Sequence, residues 1–149
     1  MTDRTAPLRR SLRDAGLRVT EPRVAVLEWL DGHPHATADQ VGQGVRGARI
    51  PKVSTQAIYD VLDACTQAGL VRRIRPADHP ARYERQTHDN HHHVVCRSCG
   101  LVEDVACQGD DPPCLTPDDT HGYVLDEAEV TFWGLCQACI EGQERDPTP

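Results

Sequence analysis

Two CxxC pairs, Cys96/Cys99 and Cys136/Cys139, constrain this chain more than any other feature. Each pair can present two thiolates from one tight turn, and two pairs complete the closed tetrahedral sulfur shell preferred by structural Zn²⁺. The fold must therefore bring two segments distant in sequence to a single point. The competing reading, two redox-active dithiols, fits less well, because CxxC redox motifs usually occur singly beside a βαβ unit. Only 4% of the residues are aromatic, so a small sheet in this chain has a marginal apolar core and needs such a staple.

The formal net charge of −7 over 149 residues hides a division near Arg85. Residues 1–85 carry 14 basic against 10 acidic side chains, whereas residues 86–149 carry 2 against 13. A basic half can approach phosphate while an acidic half avoids it, so global acidity does not exclude nucleic acid. No apolar stretch follows the early arginines, and nowhere is there a run of roughly 18 apolar residues. The expected location is the cytoplasm, with no membrane partner. Seven cysteines in that setting point to metal or redox chemistry rather than to a disulfide scaffold.

The first half reads as short helices with clear punctuation. Leu8, Leu12 and Ala15 share a helical face, with Gly16 as a stop signal. Thr20 suits an N-cap, with Pro22 in the first turn and Val24, Leu27 and Leu30 on an apolar face before Gly32. Thr37 and Gln40 make a capping-box pattern that opens a third helix through Val41 and Val45. Ser54 caps a fourth, in which Ile58, Val61, Leu62, Cys65 and Ala68 face inward until Gly69 ends it. The period then changes to that of strands. Residues 70–75 and 81–85 flank a Pro-bounded loop and read as a two-stranded hairpin.

Helices followed by a basic β-hairpin describe a winged helix-turn-helix, with the last helix entering the major groove. The alternative is a plain surface helix in a small α domain. Thr55, Gln56 and Tyr59 on that last helix are the candidate base contacts. Arg72, Arg73 and Arg75 on the hairpin, with Arg18, Arg23 and Lys52, are candidates for sequence-blind phosphate contacts. Cys65, facing inward, reads as a small core residue.

The predicted organisation is α+β: a winged-helix DNA-binding domain over residues 1–86, a hinge over 87–90, a small α/β metal-binding domain over 91–140, and a flexible tail over 141–149. Strands are expected at 93–96 and 101–105 around the first CxxC, then at 123–126 and 130–133. His91, His92 and His93 precede the first knuckle, and strand parity sends His91 and His93 to one face and His92 to the other. That spacing suits two imidazoles on one metal. Glu84, Asp104 and His35 are further candidate ligands, and a mixed N/O shell favours Fe²⁺, Mn²⁺ or Zn²⁺ over Cu(I).

The run from Ala15 to Arg23, the helix from Ser54 to Leu62, the Arg82-Tyr-Glu84 triplet, the segment from Asp89 to Gly100 and Trp133-Gly-Leu-Cys-Gln-Ala-Cys139 together resemble the Fur family of ferric-uptake-type regulators. The likeness covers nearly the whole chain. Within the family it is greatest to the peroxide-sensing branch, and there to actinobacterial regulators of catalase genes, which share an insertion of the Cys107-Gln-Gly-Asp-Asp-Pro-Pro-Cys114 type. The resemblance implies a metal-dependent repressor that acts on double-stranded operator DNA as a homodimer, with residues 91–140 as its dimerisation and metal-binding domain. It assigns structural Zn²⁺ to Cys96, Cys99, Cys136 and Cys139, and regulatory Fe²⁺ or Mn²⁺ to His35, Glu84, His91, His93 and Asp104. Aspartate at 104, where iron-uptake regulators tend to carry glutamate, resembles the peroxide-sensing branch, in which peroxide oxidises a ligand histidine, by position His35 or His91. Availability sensing of iron, zinc or nickel is the alternative within the family.

Two departures accompany the resemblance. Asp60 stands where these regulators commonly carry Arg or Asn; an anionic side chain repels phosphate, yet can accept a hydrogen bond from the cytosine N4 amino group. Ala128 stands where the family's additional metal site has a histidine, which leaves Asp89, His92 and His121 as the residues for such a site. Cys107 and Cys114 read as structural or incidental, with a redox switch or another metal site as the alternatives. A zinc hydrolase or a thiol oxidoreductase lacks a clear general base or an open cysteine-ligated metal position, so no enzymatic activity is expected.

Overall fold

A computed structural model describes residues 3–106, 113 and 115–144, and divides the chain into two compact units, Met1–Gln86 and Thr87–Pro149. In the first unit, α1 (Ala6–Asp14) buries Leu8 and Leu12, and Gly16 at φ +75° turns the chain away. Helix α2 (Glu21–Gly32) starts where Thr20 accepts a hydrogen bond from the Arg23 N–H, and it buries Val24, Ala25, Val26, Leu27 and Leu30. After a two-residue strand, β1 (Ala36–Thr37), the capping box of Thr37 and Gln40 opens α3 (Ala38–Ala48) with both reciprocal hydrogen bonds formed. The Ser54 side chain likewise accepts from the Ala57 N–H to open α4 (Thr55–Gln67). Helix α4 ends in a Schellman arrangement. Gly69 at φ +73° lets the Leu70 N–H reach the Cys65 carbonyl while its own N–H reaches that of Thr66.

The buried stripe of α4 is Ile58, Val61, Leu62 and Cys65, as the spacing predicts, while Ala68 is only half-buried. These residues meet Leu12, Val24, Leu27, Leu30, Val41 and Val45 in one continuous core. Each fully buried leucine or isoleucine there contributes about 1.5–3 kcal/mol of transfer free energy. The hairpin follows as β2 (Val71–Ile74) and β3 (Arg82–Arg85), antiparallel, with β1 added to the other edge of β3. This third strand has no counterpart in the sequence reading.

The second unit is a mixed sheet of β4 (His92–Cys96), β5 (Val102–Val105) and β6 (Thr131–Gly134), with β4 in the centre. Strand β5 pairs with β4 antiparallel and β6 pairs with it parallel. Helix α5 (Gln137–Glu144) then follows Cys136. Two expectations are corrected. Residues 123–126 join neither sheet and are irregular, with Tyr123 75% and Val124 98% exposed, because their backbone has no ladder partner among the described residues. The segment from residue 141, expected to be a flexible tail, begins as helix, since α5 runs on to Glu144. Among the described residues no helix is long and apolar enough to cross a membrane.

Helices α2 and α3 approach closely because Gly44 has no side chain. A Cβ there would lie 2.0 Å from the Trp29 ring, whereas a Cβ at the exposed Gly47 meets nothing within 4 Å. Gly44→Ala should therefore lower stability by about 1–3 kcal/mol through overpacking. Gly47→Ala should raise it by up to about 1 kcal/mol through helix propensity. Urea denaturation midpoints check the pair, and equal shifts in the same direction would contradict the packing assigned to Trp29.

Candidate metal centres and nucleic-acid interface

The two CxxC pairs meet because β4 and β6 run in the same direction. Both knuckles follow strand ends, and parallel pairing of Cys96 with Gly134 places those ends side by side, reinforced by a 2.8 Å bond from the Arg97 N–H to the Gly134 carbonyl. Gly100 at φ +73° closes the first knuckle, donating to the Cys96 carbonyl at 2.9 Å. The four sulfurs lie within 4.8 Å of one another, and the Cys99–Cys136 separation is 3.8 Å. A tetrahedron with Zn–S bonds of about 2.3 Å has edges of about 3.8 Å, so the donor set fits that ion.

The protonation pattern of the cluster is uneven. The Cys96 thiol is lowered to about 6, first by the Cys136 backbone N–H, which donates to its Sγ at 3.3 Å, and then by that of Cys99. A hydrogen bond from Ser98 pulls Cys139 down, but its Cys136, Cys96 and Cys99 neighbours outweigh that and push it up to about 12. Sulfurs this close cannot all ionise without a cation between them, and a metal supplies one.

The candidate regulatory ligands fall into two groups, one in each unit. In the first unit the β1–β3 register pairs Ala36 with Tyr83, which sets His35 opposite Glu84. His35 adopts φ +62°, and its Nε2 lies 3.0 Å from Glu84 Oε2. The Glu84 side chain is only 4% exposed, and a carboxylate so buried requires a cationic or metal partner. In the second unit the register pairs His93 with Asp104 across β4 and β5. Asp104 Oδ1 lies 3.4 Å from both His91 Nε2 and His93 Nε2, and the two rings meet edge to face at 4.9 Å. Ligands about 2.1 Å from one ion sit roughly 3.0–3.4 Å apart, so each group has the spacing of a partial coordination shell.

Asp89 has a different place from the one expected of it. Its Oδ1 accepts from His91 Nδ1 at 2.5 Å and from the Thr87 hydroxyl at 2.8 Å, and the His91 bond is the first cause holding its carboxyl below the usual range. A carboxylate on the far nitrogen of an imidazole fixes ring orientation and tautomer. His92 faces the other way, and its Nδ1 accepts from the Val130 N–H at 3.3 Å. His121 lies beside Asp119 at 3.4 Å. The structure does not bring the donor atoms of Asp89, His92 and His121 together in one cluster. Cys107 and Cys114 lie outside the described residues. Burial pushes the Cys65 thiol up, which suits an inert core residue.

On the first unit, Thr55, Gln56, Tyr59, Asp60 and Asp63 form the exposed face of α4. Arg18, Lys52 and Arg75 are exposed as well. Two other basic candidates are engaged: Arg23 donates to the Arg18 carbonyl at 2.7 Å, and Arg73 pairs with Asp63 at 3.1 Å. Arg72 lies half-buried on β2. The sequence reading missed Arg46, whose guanidinium donates to the Val53 carbonyl at 3.0 Å and to the Thr55 hydroxyl at 3.1 Å. It fixes the start of α4 from α3. No spacing rule in the sequence signals that role.

A winged helix together with a four-thiolate site and a histidine–carboxylate cluster defines a metal-responsive DNA-binding regulator. The profile of the Ferric uptake regulator family matches residues 14–112, and the chain belongs to that family of metal-responsive transcriptional regulators. It is 58% identical over 128 residues to the transcriptional regulator FurA of Mycobacterium tuberculosis, covering 86% of each chain. It is 30% identical over 132 residues to the peroxide-responsive repressor PerR of Staphylococcus epidermidis, covering 88% of this chain and 87% of that one. Its fold matches the structure of the ferric uptake regulator from Pseudomonas aeruginosa with manganese at a TM-score of 0.67 and 27% identity, covering 86% and 96% of the two chains. Regulators of this family bind DNA and function as dimers, and they are not enzymes.

Cys99→Ser should remove the ion from the sulfur site and unfold the second unit, as loss of a structural metal does in small domains. Metal analysis and near-ultraviolet dichroism check this. A folded Cys99→Ser protein with an empty sulfur site would contradict the scaffold role.

Proposed function

We propose that the protein is a peroxide-sensing repressor in which Fe²⁺ or Mn²⁺ bound by His35, Glu84, His91, His93 and Asp104 controls binding to operator DNA, while Zn²⁺ at Cys96, Cys99, Cys136 and Cys139 holds the dimerisation domain. The observation that carries the reading is the Asp104 oxygen that lies 3.4 Å from both His91 and His93 Nε2, an N/O donor set of the kind that Fe²⁺ and Mn²⁺ accept. Buried Glu84 with His35 offers the matching donors on the DNA-binding unit. A metal held by residues of both units stabilises one arrangement of two winged helices in a homodimer, so metal binding and operator binding are linked.

The signal enters through the same ligands. Bound Fe²⁺ supplies the redox chemistry that activates peroxide. His35 or His91 gains one oxygen atom, water leaves, and the altered imidazole is a poorer ligand. The likeness to a peroxide-responsive repressor supports this chemistry. The controlled genes on this reading are those of the oxidative-stress response, catalase among them. Exposed Arg18, Lys52 and Arg75 contact phosphate, with Arg23, Arg72 and Arg73 beside them, and Thr55, Gln56 and Tyr59 reach base edges.

Gel-shift assays on the protein's own promoter test the reading. Loading with Mn²⁺ should tighten binding roughly 5–150-fold over protein holding zinc at the sulfur site alone. His91→Ala should abolish that gain and keep the zinc. Peroxide should release DNA from the Fe²⁺ form and add oxygen at His35 or His91 by mass spectrometry. Binding that is indifferent to the second metal would overturn the gating. Metal-gated binding without histidine oxidation would favour sensing of metal availability.

A further inference from the structure

Helix α4 is an unusual surface to offer to DNA, because it contains two aspartates and no lysine or arginine. Asp63 is neutralised by Arg73 from the wing. Asp60 is exposed and forms no ion pair among the described residues; its carboxylate Oδ1 accepts from Gln56 Nε2 at 2.8 Å, one helical turn away. This bond sets the Gln56 amide with its nitrogen toward Asp60. The pair therefore presents two unfilled acceptors, Gln56 Oε1 and the second carboxylate oxygen of Asp60, beside Tyr59, which is 42% exposed.

In the major groove, acceptors on the protein match exocyclic amino groups and are repelled by carbonyl edges. Cytosine offers N4–H₂ as its polar major-groove group; guanine and thymine present O6 and O4, and adenine couples its amino group to the N7 acceptor. We propose that Asp60, held by Gln56, is a specificity-determining residue that selects cytosine at one position of each operator half-site, and that its negative charge also weakens binding to unrelated DNA. The proposal rests on the DNA-binding reading above. It deepens that reading by assigning a base to a side chain.

The test is selection of bound duplexes from a randomised pool by the Mn²⁺- and Zn²⁺-loaded protein, run in parallel for the native chain, Asp60→Ala and Asp60→Asn. Asp60 is exposed, so both variants should fold, and their zinc content and melting should match the native protein. The native chain should prefer cytosine at one position per half-site by roughly 5–150-fold, the range of a good base contact. Asp60→Ala should lose that preference, keep the rest of the selected sequence and bind unrelated DNA more tightly at low salt. Asp60→Asn, an amide able to pair with adenine N6 and N7, should move the preference toward adenine. An unchanged profile in Asp60→Ala would overturn the assignment, as would a native preference for adenine at that position, which would make Gln56 the reader. If the native protein selects no sequence at all, the DNA-binding reading itself fails, a result distinct from either of these.

Discussion

The parallel alignment of β4 with β6 is the constraint on which the second unit depends. Each CxxC follows the end of a strand, so only strands running the same way deliver all four sulfurs to one place. An antiparallel pair would send the knuckles to opposite ends of the sheet. The arrangement is costly without a cation. One thiol, Cys96, is stabilised as thiolate by backbone N–H donors, while Cys139 holds its proton to about 12. Filling the site at neutral pH therefore releases protons, and the binding free energy of the ion is also folding free energy for the sheet around it.

That scaffold positions the second group of donors. Cys96 terminates the strand that carries His93, and Gly100 turns the chain back so that Asp104 on β5 faces it. The two centres differ in what they can exchange with their surroundings. Four thiolates close a tetrahedron and leave no position for a ligand or an oxidant. Imidazoles and carboxylates form a harder, more open set that redox-active ions accept. Asp89 adds a further control by gripping His91 from its Nδ1 side, so the face turned toward Asp104 is Nε2.

Much of this architecture was legible in the sequence because the signals are local. Thr20, Thr37 and Ser54 cap the helices they were expected to cap, and Gly69 ends α4. Strand parity put His91 and His93 on one face and His92 on the other, and His92 indeed turns to Val130. What escaped was non-local or without period. A two-residue strand such as β1 has no repeat to detect, yet its register is what sets His35 against Glu84. Residues 123–126 carry apolar side chains suited to a strand, but pairing depends on a neighbour, and the described residues do not provide one. Asp89 looked like a ligand because a carboxylate near histidines is ambiguous in sequence, and only distance separates a metal donor from a group that orients one. Arg46 acts through contacts with Val53 and Thr55 that no motif records.

In the proposed gating, one ion and the operator stabilise the same state of the protein. Linkage then requires the effect to be reciprocal. Calorimetric titration of Mn²⁺ into the zinc-loaded protein, with and without a saturating operator duplex, tests this most directly. DNA should tighten Mn²⁺ binding by the same factor by which Mn²⁺ tightens DNA binding. Equal Mn²⁺ affinity in the two titrations would contradict it.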